Sequence, residues 1–129
     1  MARLRCADLF LDTYPYNAHT TASAALWAGL PVLTRSGESF ASRVAASLLV
    51  TSQIPELIVL TAEEYQATAI DLAGNVAKMA NFKRRLWDYR DKNPLFNSES
   101  YTRKLENLLC QMYVKSQNGL SPENIKLQQ

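Results

Sequence analysis

Apolar residues over positions 1 to 75 come in two alternating spacings, and the alternation predicts strands interleaved with helices. Leu9-Phe10-Leu11, bounded by Asp8 and Asp12 and followed by Pro15, reads as a buried strand that runs into a loop. Ala22, Ala25, Leu26 and Trp27 then recur at helical steps. Thr20 or Thr21 suits the N-cap of that helix, and Gly29 stands where a left-handed residue would end it. Pro31 to Thr34 predicts a second strand, with Pro31 tolerated at its start. From Ser39 to Leu49 the residues Phe40, Val44, Ala45, Leu48 and Leu49 share one helical face, with Arg43 outside it. Glu56-Leu57-Ile58-Val59-Leu60 predicts a third strand. Thr61-x-x-Glu64 is a capping-box signature for a helix through Tyr65, Ala69, Ile70 and Ala73, stopped near Gly74-Asn75.

Strands alternating with helices imply the α/β class, a parallel sheet of about three strands flanked by helices. After Asn75 the strands cease. Val76, Met79, Leu86 and Tyr89 predict one amphipathic helix, and Ser98 would cap a second that carries Tyr101, Leu105, Leu108, Leu109 and Met112 on a stripe. The expected organisation is one domain over 1–116 and a flexible tail over 117–129, in which only Leu120, Ile125 and Leu127 are apolar enough to bury. Three strands are few for an open parallel sheet, and the first follows almost directly on Met1. The pattern is that of the second half of a doubly wound domain. Its first strand would present an unpaired edge, which invites pairing with a second copy, so a homo-oligomer is expected.

Composition narrows the classes. A chain of 129 residues supports one core, and a net charge of +2 is too small to indicate a nucleic-acid partner. Lys83-Arg84-Arg85 beside Trp87 and Tyr89 spreads around a helix and reads as a solvated face. Cys6 and Cys110 lie far apart and His19 is the only histidine, so neither a metal site nor a disulfide framework is supported. A reduced, cytoplasmic setting is expected. No apolar run has the length of a signal peptide or a membrane span, so no membrane partner is expected.

The candidate chemistry lies in Thr13-Tyr14-Pro15-Tyr16-Asn17-Ala18-His19-Thr20-Thr21, between the first strand and the first helix. A loop rich in small donors that opens a helix turns several N–H groups on one spot, where the helix dipole favours an anion. A phosphate fits. The same residues also serve a plainer role in which a threonine caps the helix and His19 sits in a satisfied loop. Asp8 and Asp12 form no catalytic pair, since four residues of strand separate them by about 13 Å. Tyr14 and Tyr16 either rim the loop or pack it, Trp27 is expected in the core, and Glu38 and Arg43 are expected in an ion pair or a cap.

Four stretches closely resemble the protein O-linked N-acetylglucosamine transferases, family 41 glycosyltransferases. They are Ala7-Asp8-Leu9-Phe10-Leu11-Asp12-Thr13, Pro15-Tyr16-Asn17-Ala18-His19-Thr20-Thr21, Leu26-Trp27-Ala28-Gly29-Leu30-Pro31-Val32-Leu33-Thr34, and Gly37-Glu38-Ser39-Phe40-Ala41-Ser42-Arg43-Val44-Ala45-Ala46-Ser47. Pro94-Leu95-Phe96-Asn97 and Tyr101-Thr102 look like that family's C-terminus. Members have two Rossmann-like domains behind tetratricopeptide repeats, and move N-acetylglucosamine from UDP to protein hydroxyls. The resemblance implies that this chain is the last part of the second, UDP-holding domain, with the N-terminal catalytic half missing from it. It implies UDP or a UDP-sugar as ligand, no separate cofactor, and diphosphate contacts at His19, Thr20 and Thr21. No catalytic residue is assigned, and the chain alone is expected to be inactive. The alternative is a non-enzymatic interaction or oligomerisation module derived from that domain.

Two departures follow from the same resemblance. Where the family's motif typically has an aspartate for the nucleotide ribose, this chain has Ala24. A methyl accepts no hydroxyl proton. The family's uracil-packing histidine would fall just before Met1, and its phosphate-contacting lysine further upstream.

Overall fold

The structure, a computed structural model, describes residues 2–125. Three strands form one sheet in the order β1 (Phe10–Leu11), β2 (Val32–Arg35), β3 (Ile58–Val59), all parallel. Phe10 pairs with Val32 and Leu11 with Leu33 on one side of β2, and Thr34 pairs with Ile58 and Arg35 with Val59 on the other. Helices α1 (Thr20–Trp27) and α2 (Val44–Thr51) make the crossovers, and α3 (Ala62–Gly74), α4 (Val76–Tyr89) and α5 (Ser98–Gln117) follow. The chain is thus α/β, three parallel strands flanked by helices. It divides into two compact units, Met1–Phe96 and Asn97–Gln129.

In the first unit β2 is the spine, with Val32, Leu33 and Thr34 fully buried. Ala25 and Leu26 of α1, Leu49 of α2, Leu72 of α3 and Met79, Phe82 and Leu86 of α4 close over the sheet together with Leu30, Ile54 and Leu57. The small residues Ala22 and Ala25 put α1 close to the sheet, both within 1% of complete burial. Gly29 has φ +80°, and the bonds Gly29 N to Leu26 O and Leu30 N to Ala25 O close the end of α1 as a Schellman turn. The end of α2 uses the same device without glycine. There Ile54 N donates to Leu49 O at 3.0 Å, and Gln53 takes φ +59°.

The capping box of α3 forms as its spacing predicts: Thr61 Oγ1 accepts from Glu64 N at 3.1 Å. The Glu64 carboxylate accepts from Leu60 N at 2.9 Å and Thr61 N at 3.2 Å, and those N–H groups hold it below the usual carboxylate range. Asn75 Oδ1 caps α4 through Lys78 N. Lys83 pairs with Asp8 at 2.6 Å and Arg85 with Glu56 at 2.6 Å, so two of the three cations in the basic run are engaged by carboxylates of the same unit. The guanidinium of Arg85 lowers the Glu56 carboxyl through that hydrogen bond.

Three elements differ from the sequence pattern. The helix expected from Ser39 begins at Val44, because Ser42 N bonds Ser39 O, Arg43 N bonds Phe40 O, and Ala41 O is held by Asn17 N at 2.9 Å. Phe40 therefore leaves the core stripe and is 76% exposed. The third strand is shorter than its apolar run because Pro55–Leu57 forms a 3-10 turn. Trp27, expected in the core, is 37% exposed and meets Phe96 edge-on at 4.9 Å. The Arg90 guanidinium lies between two indoles, 5.0 Å from the Trp27 ring and 4.5 Å from the Trp87 ring.

In the second unit Asn97, rather than Ser98, caps α5, accepting from Ser100 N at 2.9 Å, and Glu99 pairs with Arg103 one turn later. None of the α5 residues is buried. Its stripe Tyr101, Leu105, Leu109 and Met112 is exposed. Past Gln117 the chain turns at Gly119, and Glu123 forms an ion pair with Lys115. Leu127, expected among the buried tail residues, lies outside the described residues.

Gln53 offers a direct test of the α2 ending. A side chain in the left-handed region is disfavoured relative to glycine, so Gln53→Gly should raise the unfolding free energy by about 0.5 to 1 kcal/mol. Urea denaturation measures it, and a loss of stability would show that the Gln53 side chain carries a contact of its own.

Candidate functional site

The predicted phosphate loop lies at the C-terminal end of β1, on the wall of an open depression of about 530 Å³. In parallel α/β sheets this is the end at which ligands bind. Its scaffold is Asp12. The Asp12 carboxylate, 6% exposed, accepts from Thr13 N at 2.9 Å and Ala18 N at 2.7 Å through Oδ1, and from the Thr34 hydroxyl at 2.6 Å through Oδ2. Its backbone N–H donates to Leu33 O at 3.0 Å. Its backbone O accepts from the Tyr65 hydroxyl at 2.8 Å. One residue thereby ties the loop to β2 and to α3.

Asn17 is the second brace. It is completely buried, its Nδ2 donates to Thr13 O at 3.0 Å and Arg35 O at 3.4 Å, and its N–H reaches Ala41 O. Around the rim Tyr14 lies beneath the Arg35 guanidinium, 4.1 Å from ring centroid to carbon. Tyr16 stacks on His19 with centroids 5.1 Å apart and planes at 17°, and Phe40 meets His19 edge-on at 6.0 Å.

His19, Thr20 and Thr21 are brought together as the sequence predicts, with one change of role. His19, not a threonine, occupies the N-cap position of α1, and no side chain caps this helix. The first intrahelical acceptance is His19 O from Ser23 N at 3.0 Å, which leaves the N–H groups of Thr20 and Thr21 without an intrahelical partner. Both threonine side chains are exposed. The Nε2 of His19 is buried without a hydrogen-bond partner, as is Oδ1 of Asn17. Tyr16 and Phe40 cover the imidazole, fixing its plane while leaving that nitrogen unsatisfied by protein.

Glu38 and Arg43 form no ion pair among the described residues, and Arg43 takes the N-cap position of α2 without a side-chain bond. The sequence reading weighed Asp12 only as a partner for Asp8 and passed over Asn17 and Tyr65. The available signal was positional, since an aspartate where a strand opens into a loop puts its carboxylate among loop N–H groups. Among the described residues no cluster of three or more His, Cys, Asp or Glu side chains is arranged to hold a metal ion. No helix among them is long and apolar enough to cross a membrane.

The family model described as glycosyl transferase family 41 matches residues 1–105. The chain belongs to that family. A UDP-N-acetylglucosamine--peptide N-acetylglucosaminyltransferase of Caenorhabditis elegans is 37% identical over 123 residues, covering 95% of this chain and 11% of the relative. A Hordeum vulgare protein, named as the probable UDP-N-acetylglucosamine--peptide N-acetylglucosaminyltransferase SPINDLY, is 35% identical over 89% of this chain and 12% of its own length. The solved structure of an O-GlcNAc transferase variant from Thermobaculum terrenum superposes with a TM-score of 0.80 at 32% identity, over 88% of this chain and 22% of that one. The match is to the C-terminal catalytic region of family 41 transferases, and the chain spans only 11 to 12% of these two curated relatives.

The Tyr65 to Asp12 bond has a pH signature. Burial first, and the Asp12 carboxylate second, raise the Tyr65 phenol above its ordinary value. A folded-state value above the unfolded one gives stability that is complete below the unfolded value, about pH 10, and lost as pH rises through the folded value. Tyr65→Phe should cost about 1 kcal/mol at neutral pH and remove that alkaline loss. Thermal melts from pH 7 to 11 check both. An unchanged alkaline slope in the variant would assign it to another group.

Proposed function

We propose that residues 1–116 are part of the UDP-binding domain of a UDP-N-acetylglucosamine-dependent protein O-glycosyltransferase, with His19, Thr20 and Thr21 facing the donor diphosphate. The observation that carries this reading is the uncapped start of α1, where two N–H groups and two exposed hydroxyls stand at the C-terminal end of β1 beside an imidazole with an unsatisfied nitrogen. Three other helices, α3, α4 and α5, have their starts closed by Thr61, Asn75 and Asn97. As the sugar-phosphate bond breaks, negative charge grows on the departing UDP. Helix N–H groups and hydroxyls already aimed at that charge lower the barrier without reorganising.

The same reading makes the chain incomplete as a catalyst. No general base for an acceptor hydroxyl is assigned within it, and Ala24 removes the acceptor that would bind the ribose. The donor is UDP or a UDP-sugar, the missing partner is the N-terminal catalytic half, and the setting is cytoplasmic. A second reading, a self-associating module without enzymatic activity, draws support from the half-exposed edge strand β1. A stable monomer by light scattering at high concentration counts against it.

Titration calorimetry with UDP distinguishes the two. The chain should bind UDP, and Ala24→Asp should tighten binding about ten- to a hundredfold, the equivalent of roughly 1.5 to 3 kcal/mol for a charge-assisted hydrogen bond. Thr20→Val with Thr21→Val should weaken it. Binding that ignores all three positions would overturn the proposal, as would transfer of sugar to a peptide by the isolated chain overturn its incompleteness.

A further inference from the structure

We infer that the Arg35 guanidinium, laid flat on Tyr14 at the C-terminal end of β2, receives a carboxylate side chain of the acceptor polypeptide. This rests on the transferase reading above and gives the acceptor a chemical preference, acidic residues beside the modified hydroxyl.

Arg35 is the last residue of β2, the central strand, and so lies at the end of the sheet that carries the proposed diphosphate loop. Three contacts fix it. Its guanidinium carbon is 4.1 Å from the centroid of the Tyr14 ring, its Nε donates to Leu60 O at 3.3 Å, and its carbonyl accepts from Nδ2 of the buried Asn17 at 3.4 Å. The Tyr14 ring is itself confined. A Cβ at Gly37 would come within 3.1 Å of Tyr14 Cε2 and 2.6 Å of Ser42 Oγ, so the glycine leaves the ring its place.

These contacts use the flat face and the stem-side nitrogen of the guanidinium. Nη1 and Nη2 make no hydrogen bond among the described residues. Arg35 joins none of their ion pairs, whereas Lys78, Lys83, Arg85 and Arg90 of the same unit are each held by a carboxylate. The Asp12 carboxylate is already met by three donors, and Glu38, exposed in the following turn, forms no ion pair among the described residues. A planar fork fixed on one side and open on the other suits an oxyanion that accepts two parallel hydrogen bonds. Its stem is already ordered, so little side-chain freedom is lost when that oxyanion arrives.

Placement selects among anions. The depression at the head of α1 is lined from Phe10 to Thr13 and from Tyr16 to Thr21, and neither Tyr14 nor Arg35 is among its walls. A diphosphate seated there on Thr20 and Thr21 would leave Arg35 to another ligand. Nucleic acid needs several phosphate-binding cations together, and in the basic run on α4 two of three are already paired. A transferase that glycosylates protein must bring a second polypeptide to the donor, and its acidic side chains are the anions that the rim of the site would meet.

The test titrates the 129-residue chain with two peptides that differ only beside their single serine, Asp-Ser-Asp against Asn-Ser-Asn, and follows the Arg35 Nε–Hε resonance by NMR. The acidic peptide should shift that resonance, bind at least about threefold tighter at low salt, and lose its advantage at about 0.5 M salt. Arg35→Lys keeps the charge without the fork and should remove most of the preference, and Arg35→Gln should remove all of it. Equal binding of the two peptides would overturn the inference, as would a preference that survives Arg35→Gln. So would a shift of the resonance by UDP in place of the acidic peptide, which would assign the guanidinium to the donor. The peptide pair leaves the protein unaltered, so that comparison decides even where a variant does not fold. UDP titration of the same chain reports separately on Thr20 and Thr21. UDP binding without a peptide preference sinks this inference alone, and a peptide preference without UDP binding supports it while sinking the diphosphate assignment.

Discussion

A buried carboxylate holds the working end of this molecule together. Asp12 accepts three hydrogen bonds from a loop and a neighbouring strand, and lends its carbonyl to a tyrosine on α3. A carboxylate in so little water is tolerated only when its lone pairs are met by donors, and here two donors come from the loop and one from β2. Remove the carboxylate and the loop N–H of Ala18, the Thr34 hydroxyl and the approach to α1 lose their common anchor. The geometry of the helix start, where a diphosphate is proposed to bind, is therefore imposed from below, by a residue that need not touch the ligand.

This arrangement carries an electrostatic tension. A negative side chain lies under a loop proposed to receive a diphosphate, which Coulomb repulsion alone would oppose. The donors between them soften it: Thr13 and Ala18 turn their N–H groups down onto Asp12, while Thr20 and Thr21 keep theirs clear at the head of α1. The loop is thus divided into an inward-facing set of dipoles and an outward-facing one.

Much of this was legible in the residues. Helix and strand order followed from apolar spacing, and the Thr61 box was readable because both of its hydrogen bonds are local. The loop that opens α1 at His19, Thr20 and Thr21 was readable for the same reason, since its residues are neighbours in sequence. Phe40, by contrast, fits a helical stripe perfectly well; a long-range bond from Asn17 to Ala41 and an edge contact with His19 draw it out of the helix. The roles of Asp12 and Tyr65 depend on partners 22 and 53 residues away, distances at which spacing carries no information. Trp27 misled for a further reason: an indole held against a guanidinium is satisfied at the surface and has no need of the core.

That last contact gives the molecule a built-in optical reporter. Trp27 and Trp87 are the chain's only two tryptophans, and both lie against the same Arg90 side chain, one from α1 and one from α4. Intrinsic fluorescence of the protein therefore comes from a single neighbourhood. Its emission follows the closure of α4 against the C-terminal end of α1, the helix whose other end carries the proposed diphosphate site, and α5 contributes no tryptophan signal of its own.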